Sequence, residues 1–265
     1  MKRLAQFKGA TLTILVIIFL YAVLLFFGIV QDYLSGDSLI LADARIANLL
    51  YAFQNNNFLR IFYFITLFAE PIVIIILSAV LSILLWVQRQ RIYMFSFWFV
   101  LALGEGLAFL GKYIFQRERP DLFMRAIAEN SFSFPSWHAT GVVLFYGFLV
   151  YLIIRNYSSF KIKTAVSVIF VLLVALVDFS RLYLGVHYLS DVLAGNLLGF
   201  SVLILSVIIT EWIIYHKPDF IPDKIKSSQI LIVLIVAIAS VLSVYNLTDS
   251  PIGKDKPIVT LSLKK

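Results

Sequence analysis

The chain has no cysteine. That excludes disulfides, thiolate metal sites and a cysteine nucleophile. Charge is scarce: Asp, Glu, Lys and Arg make up 14% of the residues, against about 25% in an average soluble domain. There is no internal repeat and no low-complexity tract, and histidine occurs only three times. Apolar residues take the place of charge, at 61% of 265. A soluble domain carries about 45–50%, so this is the composition of an integral membrane protein.

Apolar runs fall at about 10–30, 71–87, 92–111, 138–154, 165–180, 191–215 and 229–245. At about 20 apolar residues per crossing they predict an all-α helical bundle in the membrane. The first run follows Met1-Lys2-Arg3, a signal-like start. It is too long for a signal-peptide core and no small-x-small cleavage site follows, so it reads as an uncleaved first span. Residues 1–245 read as one transmembrane domain and 246–265 as a short tail, with 252–265 either extended or disordered.

The net charge of +7 invites a nucleic-acid reading. The placement of the cations argues against it. Lys2, Arg3, Lys8, Arg89, Arg91, Arg155, Lys161, Lys163, Lys217, Lys224 and Lys226 all fall on one side if seven helices start in the cytoplasm. That is the positive-inside rule, and it accounts for eleven of the 22 Lys and Arg. The same count puts 31–59, 112–137, 181–190 and 246–265 outside, in a cell membrane. Segment 38–53 has apolar residues at helical spacing and reads either as an amphipathic helix on the outer interface or as an ordinary connection. Pro71 suits a first helical turn, so the second span is expected to start there, with Glu70 placed to favour the helix dipole.

Three charged clusters punctuate the apolar runs. In the first, Lys112 and Arg119 are seven apart, two turns on one helix face, while Pro120 biases Arg119 away from helix. Two cations snorkelling to an interface is the plainer reading. In the second, Ser136 is a candidate N-cap for the fourth span, with His138 in the first turn, where a helix offers free N–H groups to an anion. A partly solvated interface histidine is the alternative. In the third, Ser180-Arg181 ends a span, Gly185 breaks it, and His187 and Asp191 lie four apart, able to touch on one helix face. A structural hydrogen-bonded pair would look the same. The topology puts all three clusters at the outer face, and ionisable groups at the edge of a membrane bundle are functional candidates. Three cations around one place imply an anion of high charge density such as phosphate.

Together, Lys112-x6-Arg119-Pro120, Pro135-Ser136-x-His138 and Ser180-Arg181-x5-His187-x3-Asp191 resemble the three-part signature of the type 2 phosphatidic acid phosphatase family. That family includes membrane lipid phosphatases, soluble acid phosphatases and vanadium haloperoxidases. The resemblance covers about residues 60–215. One position departs: many members have glycine where this chain has Trp137, which puts the shape of the pocket in question more than the chemistry.

The resemblance implies a six-helix phosphatase core, with the run at 229–245 as an extra C-terminal span. It implies His187 as nucleophile, Asp191 as the carboxylate that fixes its tautomer, and His138 as general acid and then base. Lys112, Arg119 and Arg181 would bind phosphate, with Ser136 and the backbone at Trp137 as further donors. No cofactor and no metal is implied. The expected partners are the membrane and a phospholipid or polyprenyl (di)phosphate, not nucleic acid. Undecaprenyl diphosphate, phosphatidylglycerophosphate and phosphatidate all stay open, the cell-wall carrier slightly ahead. A non-catalytic lipid-binding or transport protein of the same fold is the alternative. Two intramembrane acids are unplaced: Glu105, seven residues before Lys112, could pair with a cation or line a polar cavity, and Asp178 could pair with Arg181. Glu118, Asp121 and Glu129 read as scattered external acids.

Overall fold

The computed structural model describes residues 9–36, 38–216 and 227–248. Helices follow one another as α1 (Gly9–Ser35), α2 (Ser38–Ala52), α3 (Asn56–Thr66), α4 (Pro71–Val87), α5 (Arg91–Phe115), α6 (Trp137–Asn156), α7 (Phe160–Tyr183), α8 (Leu189–His216) and α9 (Ser227–Leu247). The all-α expectation holds. Among the described residues, six helical stretches are long and apolar enough to cross a membrane, and Leu231–Leu247 adds a shorter apolar helix. Lys2, Arg3, Lys8, Lys217, Lys224, Lys226 and the stretch 252–265 lie outside the described residues.

One boundary differs from the sequence reading. The second span does not begin at Pro71. It begins at α3, whose N-cap Asn55 accepts from the Phe58 N–H at 3.0 Å. A short 3-10 turn, Leu67–Ala69, then joins α3 to α4. Pro71 sits at the first position of α4 as expected, but it marks a break inside one 32-residue apolar stretch, Asn56–Val87. Segment 38–52 is a helix, and α2 packs on α1, α7 and α8.

The bundle is organised on α6, which packs against α4, α5, α7 and α8. Lipid tails are as apolar as leucine, so close packing and polar contacts hold membrane helices together. At Gly195 of α8 a Cβ would lie 2.5 Å from the Ser136 carbonyl oxygen; only glycine lets the starts of α6 and α8 approach so closely. Across the same contact Thr140 Oγ1 donates to the Gly195 carbonyl at 3.1 Å. Further down, Thr210 Oγ1 donates to Ser96 Oγ at 2.7 Å and Tyr151 to Glu211 at 2.8 Å. The close α6–α8 contact brings the second and third sequence clusters together.

Candidate active site

Four helix ends meet at one end of the bundle: the C-termini of α5 and α7 and the N-termini of α6 and α8. They carry Lys112, Arg181, His138 and Asp191, all buried. Arg119 and His187, also buried, come from the loops that follow α5 and α7. Those loops need special backbone. Gln116 closes α5 in the left-handed region (φ 45°). Gly185 follows α7 with φ 69°, and a Cβ there would lie 2.3 Å from the Met124 carbonyl oxygen. Glycine alone meets both demands.

The helical register expected for Lys112 and Arg119 is not what joins them. The chain leaves the helix at Phe115, and Arg119 is carried into the site by the loop. Nor are His187 and Asp191 a pair on one helix, because α8 starts at Leu189. They still meet: His187 Nδ1 lies 3.4 Å from Asp191 Oδ2. His187 Nε2 lies 3.2 Å from Arg119 Nη1. A guanidinium can only donate, so Nε2 presents its lone pair and the ring proton sits on Nδ1, facing Asp191. Burial first, then Arg119, Arg181 and Lys112, hold the His187 imidazole well below its ordinary pKa. These influences favour the neutral ring, with the Nε2 lone pair directed at the Arg119 guanidinium.

Asp191 is fully buried and fixed on both oxygens: Oδ2 accepts from the Tyr188 N–H at 2.8 Å, and Oδ1 from Arg117 Nη1 at 2.6 Å. Arg117 reaches with its other nitrogen to Asp43 Oδ2 on α2, at 2.7 Å. Asp43 also accepts from the Ser190 N–H at 2.9 Å and from the Ser190 hydroxyl. His138 Nε2 lies 3.3 Å from Glu70 Oε2. Arg181 donates to Thr66 Oγ1 at 3.1 Å and to Glu129. Lys112 donates to the Phe132 carbonyl at 2.6 Å. Ser136 caps α6, its Oγ 3.5 Å from the Ala139 N–H, and its own N–H donates to the Asp191 carbonyl at 2.9 Å. Beside this set lies a cavity of about 380 Å³. Lys112, Arg119 and Glu129 line it with the aromatic side chains of Phe109, Tyr113, Phe132 and Trp137. Trp137 is therefore a wall of the cavity, next to aromatic residues of α5 that face outward from the bundle.

All eight residues singled out in the sequence thus lie at this end of the molecule. Four others escaped sequence reasoning: Asp43, Glu70, Arg117 and Glu129. The only advance signs were an isolated acid in an apolar helix, an acid before Pro71, and a second arginine in Arg117-Glu118-Arg119. Glu129 is not a scattered surface acid, since it is clasped by two arginines. Asp178 does not pair with Arg181; it accepts from Asn196 Nδ2 at 2.6 Å. Nor does Glu105 pair with Lys112, whose amine is taken by the loop; it lies against Gly141 of α6, with Oε2 lacking a hydrogen-bond partner.

Residues 93–215 match the model of the PAP2 superfamily. Phosphatidylglycerophosphatase B of Bacillus subtilis is 40% identical over 85 residues, which are 32% of this chain and 41% of that protein. Lipid phosphate phosphatase delta of Arabidopsis thaliana is 32% identical over 95 residues, 35% of this chain and 22% of that protein. The matches thus span less than half the length of these relatives. The crystal structure of a transmembrane PAP2 type phosphatidylglycerolphosphate phosphatase from Bacillus subtilis superposes with a TM-score of 0.63 at 25% identity, covering 75% of this chain and 96% of that one. The segments 112–120, 135–138 and 180–191 that build the site all lie inside the matched residues, and this multi-pass membrane chain carries a PAP2 superfamily domain at residues 93–215.

Proposed function

We propose that the protein removes phosphate from a membrane lipid through a phosphohistidine on His187. The observation that carries this reading is the placement of the His187 ring, with Nε2 3.2 Å from Arg119 Nη1 and Nδ1 3.4 Å from Asp191 Oδ2. In the first step Nε2 attacks phosphorus, the bond from phosphorus to the lipid oxygen breaks, and His138 gives that oxygen a proton. Asp191, with Oδ2 3.4 Å from Nδ1, offsets the charge that develops on the ring. In the second step water attacks phosphorus, His138 takes its proton, and the N–P bond breaks. This divides one difficult displacement into two easier ones. Lys112, Arg119 and Arg181 stabilise the oxygens of the transferring group, the main source of catalysis in phosphoryl transfer. Glu70 gives His138 an anionic partner in the protonated state. A donor set made of cations and imidazoles supports a route without metal.

The names of the relatives make phosphatidylglycerophosphate the first substrate to test. Phosphate release from phosphatidylglycerophosphate, phosphatidate and undecaprenyl diphosphate, presented in detergent micelles to the purified protein, is the direct measurement. Release is expected to be fastest from the first and unchanged by EDTA. No release from any of the three would remove the phosphatase reading in favour of a lipid-binding role. Loss of activity in EDTA would remove the metal-independent route.

The site is assigned to the extracytoplasmic face. Arg89, Arg91, Arg155, Lys161 and Lys163 cluster around the α4–α5 and α6–α7 turns, at the end opposite the site, as the positive-inside rule requires of a cytoplasmic face. The chain has no cysteine of its own, so single cysteines report cleanly. Leu122 and Phe160 are 79% and 81% exposed and belong to opposite ends. A membrane-impermeant maleimide applied to whole cells is expected to label Leu122→Cys and spare Phe160→Cys. The reverse pattern would invert the topology.

A further inference from the structure

The site already holds an anion, and it belongs to the protein. Glu129, in the loop between α5 and α6, places Oε1 on Arg181 Nη2 and Oε2 3.4 Å from Arg119 Nη2. Its neighbours complete the arrangement. Arg119 Nε donates to the Ser131 carbonyl at 2.7 Å and its Nη2 to Ser131 Oγ at 3.0 Å. Lys112 donates to the Phe132 carbonyl at 2.6 Å. Residues 129–132 therefore supply an acceptor to each of the three cations assigned to phosphate. A bound phosphate would need the same N–H groups, and two anions repel one another at one pair of arginines.

Burial by itself raises the Glu129 carboxyl, but Arg181, His138 and Arg119 together outweigh it and hold the group at about 2. The carboxylate is charged at any working pH. Displacing it breaks charge-assisted hydrogen bonds, which are about twice as strong as neutral ones. The side chain is 22% exposed and lines the cavity, so it has room to swing aside. A ligand must outbid it. A phosphate monoester brings two negative charges and three free oxygens; a phosphodiester brings one charge and two. The distinction matters for a site at the ends of membrane-spanning helices, the level at which phosphodiester headgroups of a bilayer lie.

We propose that Glu129 is a tethered competitor of phosphate at Arg119 and Arg181, and that it selects monoesters and terminal phosphates over the phosphodiester lipids of the surrounding bilayer. This rests on the phosphatase reading above. The test uses the purified full chain, Glu129→Gln, and Glu129→Ala as a second variant that removes the contacts outright. Inorganic phosphate is titrated by calorimetry, and lipid phosphate hydrolysis is followed in micelles with increasing phosphatidylglycerol. If the carboxylate fills the site in about nine molecules of ten, both variants bind phosphate about tenfold more tightly. Both also become competitively inhibited by phosphatidylglycerol at fractions that leave the unaltered protein unaffected. Phosphate binding that is equal or weaker in both variants overturns the competitor while leaving the phosphatase reading intact. Tighter phosphate binding without new inhibition by phosphatidylglycerol overturns the selection against diesters. Absence of phosphate binding and hydrolysis in all three proteins overturns the phosphatase reading itself.

Discussion

His187→Ala is expected to reduce phosphate release by at least about 10³-fold, the scale on which loss of a nucleophile acts when oriented partners remain. The side chain is 2% exposed and its Nε2 lone pair faces Arg119, while His138 Nε2 lies against Glu70. The variant should also fail to take up label. When substrate carrying radioactive phosphate is mixed with protein and quenched in alkali, the unaltered chain should retain acid-labile label and His187→Ala none. His138→Ala should retain more label than the unaltered chain if the substrate has a good leaving group, because the water step then lacks its base. Label on His187→Ala would place the nucleophile elsewhere. The depressed pKa of His187 has a consequence of definite sign. The neutral, nucleophilic form is fully present above the ordinary histidine value of about 6.5. It is lost only as pH falls through the lower folded value. The acid limb of kcat/KM due to His187 should therefore lie below pH 6.5.

The parts of the site that were legible in the sequence are those with local signatures. Lys112, Arg119, His138, Arg181, His187 and Asp191 interrupt apolar runs, and the topology alone sends them to one face. The spacings were informative for a different reason from the one first read into them. Seven residues from Lys112 to Arg119 suggested helix register, and four from His187 to Asp191 suggested the same. In both cases the chain leaves or has not yet entered the helix, and the loop geometry makes the contact instead. What was not legible is contact across long separation. Arg117 meets Asp43 across 74 residues and His138 meets Glu70 across 68. No periodicity encodes such a pair. Glu129 was misread because a single acid in an external loop is normally solvated. Only the fold shows that two arginines converge on it.

Arg117→Ala is expected to be the most damaging change outside the groups proposed to touch phosphate. Arg117 spans two carboxylates, at 2.6 Å to Asp191 and 2.7 Å to Asp43. Its guanidinium also lies over the rings of Tyr33 and Tyr188, at 5.2 and 4.4 Å from their centroids. Both acids are buried, Asp43 at 1% and Asp191 at 0% exposure. Removing the arginine leaves them uncompensated, and breaking a buried pair from one side costs about 3–5 kcal/mol. Lysine should not rescue, because a point charge cannot hold two carboxylates as a fork does. Asp43→Ala removes one of the two acids, so the double variant Asp43→Ala/Arg117→Ala should lose less than the sum of the single changes, by about 0.5–3 kcal/mol for residues in one network. Thermal unfolding in detergent measures the stabilities, and kcat measures the catalytic part. Strict additivity of the two changes, or an Arg117→Ala protein as stable as the unaltered chain, would show that the bridge does not carry this load. The expected coupling has a structural meaning beyond stability. Asp43 lies on α2, outside the residues matched by the superfamily, yet through Arg117 it shares the charge that holds Asp191 against His187. α2 is in this way tied to His187, the proposed nucleophile, and a change in how α2 sits on the bundle reaches the His187 ring through two ion pairs and the Asp191 contact.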